Sequence, residues 1–119
     1  MKHIAIMKGK YYINNIVEGK KIIESRFSKN KISPYNNIKI GDIVYLKESG
    51  KNIIAKFEVK KVLFFNNLNS QKIDNIKSKY NEYILAPDSY WETKVDSNYG
   101  TLIYIKNAEY ITPIKIDKK

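Results

Sequence analysis

The residues best equipped for chemistry fall in one short stretch, Lys21, Glu24, Ser25 and Arg26. On an extended backbone Glu24 and Arg26 share a face, two residues and about 6.6 Å apart. A carboxylate beside a guanidinium is a donor/acceptor pair. The acid accepts from an exocyclic amine, and the guanidinium donates to a ring carbonyl or a phosphate. The same two groups also make a structural salt bridge, and the sequence leaves both readings open. Arg26 is the one arginine among 22 basic residues. Where a point charge suffices the chain uses lysine, so a lone arginine marks a position that needs the planar, bidentate fork.

Lys21 is harder to place. Strict alternation puts it on the face opposite Glu24. It joins the pair only if the chain bends after Gly19, where a helix gives way to a strand. Ser25 also lies opposite Glu24. A seryl nucleophile needs a base, and His3 is the one histidine in the chain. Two aromatic positions complete the candidate ligand-binding set of Lys21, Glu24, Arg26, Trp91 and Tyr99. The rings of Trp91 and its neighbour Tyr90 are of the kind that stacks on a base. The other reading of Trp91 is a plug at the end of the core. Tyr99, beside Gly100, is placed to line the same mouth. Lys10-Tyr11 and Lys60-Lys61 are able to track a phosphate backbone or are simply solvated.

Composition narrows the classes. The chain has no cysteine and one histidine, which removes disulfides, thiolate metal sites and any His-rich zinc site. No metal and no cofactor are expected. With 119 residues, 43% of them hydrophobic, the chain suffices for one core and not for two. No apolar run approaches the ~20 residues of a membrane helix. The N-terminus MKHIAIMKGK lacks the apolar stretch and small-residue cleavage site of a signal peptide, so a cytoplasmic location is expected. The formal net charge is +10. That charge is either an electrostatic footprint for nucleic acid or the by-product of a composition rich in Lys, Asn and Ile; attraction to polyanions follows either way.

The elements that must position these residues are legible in the periodicity. His3 to Met7 reads as a strand. Lys10 to Val17 reads as a helix, with Tyr12, Ile13, Ile16 and Val17 at helical spacing and Gly19 as its stop. Lys21 to Phe27 reads as a strand, followed by a polar loop to Gly41-Asp42. Ile43 to Lys47 and Ile53 to Leu63 form a hairpin across Ser49-Gly50-Lys51-Asn52, with Ile53, Ala55, Phe57 and Val59 on one face. Asn69 caps a second helix, with Leu68 and Ile73 as a staple. Asp88 starts a helical turn through Trp91. Thr101 to Ile105 and Ala108 to Ile116 read as two closing strands. The pattern predicts one α+β domain over residues 1–116 with a frayed tail at 117–119. It is a small, partly closed barrel of about five or six mostly antiparallel strands with two or three helices.

The stretch Gly19 to Arg26, GKKIIESR, resembles the GxKxxExR signature of the ASCH domain family, with Gly19, Lys21, Glu24 and Arg26 in its four named places. HIAIM, SPYNNIKIGD, IVYLKESG, SYWETK and YGTLIYIKNAEYI look like the same family in the same order, so the resemblance covers nearly the whole chain. It implies a PUA-like β-barrel with a cleft near the first helix and following strand. It also implies a partner of RNA or nucleoside type. Some small members are amidohydrolases of N4-acylated cytidine, and ribonuclease activity has been ascribed to another. In an enzyme, Lys21 and Glu24 would be the catalytic candidates. The hydrolytic members, however, carry threonine where this chain has Glu24. Glu82 and Glu92 are the candidates for their downstream glutamate.

Overall fold

The computed structural model describes residues 1–116, so the tail expected at 117–119 lies outside the described residues. The order is β1 (Lys2–Met7), α1 (Lys10–Val17), β2 (Ile23–Ser28), β3 (Ile43–Glu48), β4 (Ile53–Phe65), α2 (Ser70–Ile84), α3 (Asp88–Glu92) and β5 (Tyr99–Ile114). The five strands form one sheet in the order β1-β3-β4-β5-β2. All pairings are antiparallel except β1 with β3.

Side-chain alternation sorts the core into two parts. Leu102 and Ile103 are successive residues of β5 and point to opposite faces of the sheet. Ile103 joins Ile13 and Ile16 of α1 with Val44, Leu46, Ala55, Phe57 and Val59. Leu102 joins Ile23 and Phe27 of β2 with Ile73, Ile76 and Ile84 of α2 and Trp91 of α3. The alternation expected for Ile53, Ala55, Phe57 and Val59 is present, all four being buried. Asn69 caps α2 by accepting from the Lys72 backbone N–H at 2.9 Å.

Two expectations are corrected. Residues 101–116 do not form two strands but lie largely in one, β5, which pairs with β4 from Gly100 to Ile114. Asn107, at φ 53°, sits in a stretch where the register shifts between Lys56 and Glu58, so the ladder bends without breaking. The sheet also stays open. Among the described residues β1 pairs with β3 alone and β2 with β5 alone, leaving a free edge at each end. The seam between them holds side chains and cavity, so the two edges do not reach the ~4.8 Å spacing of a ladder. Arg26 Nη2 spans it to Met7 Sδ at 3.7 Å.

Candidate functional site

The turn after α1 decides where Lys21 goes. Gly19 adopts φ +80°, a left-handed conformation that glycine takes without strain. The Asn15 carbonyl then accepts from the N–H groups of both Lys20 and Lys21 at 2.9 Å. This sharp return means that β2 starts only at Ile23. Lys21 therefore lies outside the alternation and turns inward beside Glu24, on the bent path that the sequence allowed.

Lys21, Glu24 and Arg26 form a row. Lys21 Nζ is 3.4 Å from Glu24 Oε1, and Arg26 Nη2 is 2.8 Å from Glu24 Oε2. Lys21 also donates to the Ile84 carbonyl at 2.5 Å, which ties the row to the end of α2. Lys21 and Glu24 are each 5% exposed, whereas the Arg26 side chain is 37% exposed. The carboxylate is thus enclosed between two cations and fixes one corner of the guanidinium. Arg26 is the member left facing open space.

That space is a cavity of about 410 Å³ at the seam, within the ordinary range of a small-ligand pocket. β1 supplies Ile6 and Met7, α1 supplies Tyr12, and the α2–α3 turn supplies Leu85 and Pro87. Both faces of β2 reach it, through Glu24 and Arg26 on one and Ser25 on the other, because it lies off the free edge of that strand. Ser25 Oγ and Tyr90 Oη are 2.8 Å apart. Burial pushes the Tyr90 phenol up to about 12, partly offset by its bond to Ser25. This paired hydroxyl is a neutral donor and acceptor on the wall opposite the charged row.

The other candidates separate. Trp91 is 3% exposed, packs in the core 5.7 Å from Phe27 and donates its indole N–H to Asn81 Oδ1 at 3.1 Å. It does not line the cavity. The ring on the cavity wall is its neighbour Tyr90, and adjacency in sequence gave no way to tell which of the two would face inward. Tyr99 lines a separate small cavity of about 100 Å³ on the other side of Arg26. His3 Nε2 donates to the Asp42 carboxylate at Oδ2, 2.8 Å away, and His3 lines a third cavity of about 370 Å³ along the seam. Glu82 and Glu92 are exposed and border none of these cavities. Among the described residues no group of three or more His, Cys, Asp or Glu is arranged to hold a metal ion. No helix among them is long and apolar enough to cross a membrane.

The signature row, the open seam and the strand order lead to a comparison with known proteins. The ASCH domain model matches residues 9–118. The chain belongs to the ASCH domain family. The ASCH protein of Zymomonas mobilis has the same fold, with a TM-score of 0.70 over 97% of this chain and 72% of its own, at 13% identity. A single-substitution variant of that protein superposes equally, with a TM-score of 0.69 over 97% of this chain and 74% of its own, also at 13% identity. The hypothetical protein PH0355 is also similar, at 22% identity, with a TM-score of 0.56 over 96% of this chain and all of its own. A sequence search of curated proteins finds no match. At these identities the solved structures speak to the fold of this ASCH domain alone.

Proposed function

We propose that this ASCH domain binds RNA and takes an unstacked base, plain or modified, into the cavity between the β1 and β2 edges. The observation that carries this reading is the arginine of the row. Glu24 and Met7 hold Nη2 of the guanidinium, and its Nε and Nη1 N–H groups are placed to address a base carbonyl or a phosphate. The Ser25–Tyr90 hydroxyls supply a second polar wall, and Ile6, Met7, Tyr12 and Leu85 supply apolar surface for a flat ring. ASCH domains are generally thought to bind RNA, which agrees with this reading.

The amidohydrolase reading fits less well. That reading needs the Lys21 amine to reach the substrate, and its Nζ is already engaged by the Ile84 carbonyl and the Glu24 carboxylate. The side chain of Glu24 offers no hydroxyl. A ribonuclease using two histidines has one histidine to draw on, and it is engaged by Asp42.

The test is a panel of nucleosides, N4-acylated cytidines and short single-stranded RNAs, measured for binding and turnover on one preparation. Saturable binding without turnover is the expected result, with Arg26→Lys weakening it by roughly 1–3 kcal/mol. Efficient deacylation that vanishes in Lys21→Ala overturns the binding reading in favour of the hydrolase.

A further inference from the structure

We infer that Arg26 divides two nucleotide subsites, and that the second, walled by Tyr35 and Tyr99, makes the ligand a single-stranded run of nucleotides rather than a free nucleoside. The inference rests on the RNA-binding reading above. It comes from the way the three cavities meet. The main cavity shares Ile6, Glu24 and Arg26 with the seam cavity. The seam cavity shares Arg26, Ser33 and Pro34 with the small one. Arg26 is the one residue that borders all three, so its side chain meets open space on more than one side.

The two sides differ in kind. The main cavity, at about 410 Å³, is large enough to take a base. The small one, about 100 Å³, is too small to enclose a nucleoside and presents a surface instead. That surface is aromatic. Tyr35 meets Tyr99 at 5.0 Å between centroids and 67° between planes, and meets Phe64 at 5.5 Å and 68°. Both tyrosines are half-buried, fixed by these edge-to-face contacts and still reaching solvent. Exposed Ile32 extends the apolar surface. Rigid aromatic faces beside a cationic groove are how sequence-tolerant single-strand binders hold successive bases.

Charge supports the same occupant. Lys8 lines the main cavity, and Lys94 Nζ lies 5.2 Å from the ring centroid of Tyr90 on its wall. Burial lowers the pKa of Lys94, and the nearby charges of Lys8 and Arg26 lower it further, so three cations crowd this rim. At the other end, exposed Lys29 and Lys31 precede the loop residues Ile32 to Tyr35. A phosphate linking two bases would fall beside Arg26, the group whose planar fork suits it.

The experiment compares each of the four ribonucleoside 5′-monophosphates with the matching hexaribonucleotide at fixed ionic strength, by calorimetry. The proteins are the wild type, Tyr35→Leu, Tyr99→Leu and the two tyrosine-to-phenylalanine variants, with thermal melts run on all five. The leucine variants are expected to weaken the hexamer by roughly 5- to 150-fold, the loss of one stacked base, and leave the monophosphate unchanged. The phenylalanine variants should retain hexamer affinity. Hexamer affinity equal to that of the monophosphate, or untouched by both leucine variants, overturns the second subsite and leaves the base-binding reading standing. Equal weakening of hexamer and monophosphate also overturns it, by showing the cluster to be structural. Failure of the wild type to bind either probe removes the base-binding reading itself, and the subsite with it.

Discussion

At the scale of residues, the three signature side chains are not equivalent, although the sequence treats them as a set. Arg26 is partly exposed and has N–H groups to spare. Arg26→Lys should leave the melting temperature nearly unchanged, because a lysine there still meets Glu24, while ligand affinity falls with the loss of the fork. Glu24→Gln should lower stability as well as weaken ligand binding. It leaves the buried Lys21 ammonium with a carbonyl and no counter-charge. Removing one partner of a buried pair costs about 3–5 kcal/mol. Chemical denaturation of both variants checks this, and a Glu24→Gln protein as stable as the wild type would show that the row is not coupled. The sequence identified Glu24 and Arg26 because two-residue spacing on a strand is a strong constraint. It left Lys21 open because alternation applies only inside a strand, and where β2 begins was settled by Gly19 and the Asn15 carbonyl. The Ser25–Tyr90 pair was not legible, since the partners are 65 residues apart.

At the scale of elements, α1, the β3–β4 hairpin and the Asn69 cap were legible because each rests on local periodicity or a local hydrogen bond. The single long β5 and the open seam were not, because both depend on which strands pair. The β2–β5 pairing carries a sharp packing constraint. Phe27 stands opposite Gly100, and a Cβ at Gly100 would lie 2.7 Å from the Phe27 ring and 3.2 Å from Leu68. Phe27 is itself packed on Trp91, so it has little room to retreat. Gly100→Ala should therefore destabilise the fold by about 1–3 kcal/mol, read as a lower denaturation midpoint at unchanged m-value. Edge strand β1 carries a different constraint. The N-terminal amine and His3 both reach Asp42, which also accepts from the Lys39 N–H. These contacts, led by the His3 bond, hold the Asp42 carboxyl down at about 2 against burial, from an ordinary 3.8. A lowered folded-state pKa means that this stabilisation is complete above about pH 4 and is lost as pH falls toward 2. Thermal melts should show that decline in the wild type, and Asp42→Asn should flatten it.

At the scale of the whole molecule, the question is what the net charge of +10 does. Pairs on the strands, such as Lys56 with Glu109 and Lys106 with Glu58, use acids already counted in that sum and do not reduce it. Exposed pairs of this kind contribute little to stability and leave the long-range field positive. That field acts on any polyanion, whereas the proposed site would act on a base and the phosphate beside it, so the two contributions separate experimentally. Single-stranded RNA should bind with an affinity that falls steeply with salt, each lysine contact adding about 0.7 to the slope of log K against log salt. Lys60→Ala, an exposed position outside the three cavities, should lower that slope or leave it alone and should not change which base is preferred. Arg26→Lys should keep the slope, because the charge is retained, and should blunt the base preference. Titrations of a hexanucleotide panel at several salt concentrations read both quantities at once. A slope and a base preference that always move together in these variants would mean that the cleft adds nothing to the field, and that this ASCH domain holds RNA by charge alone.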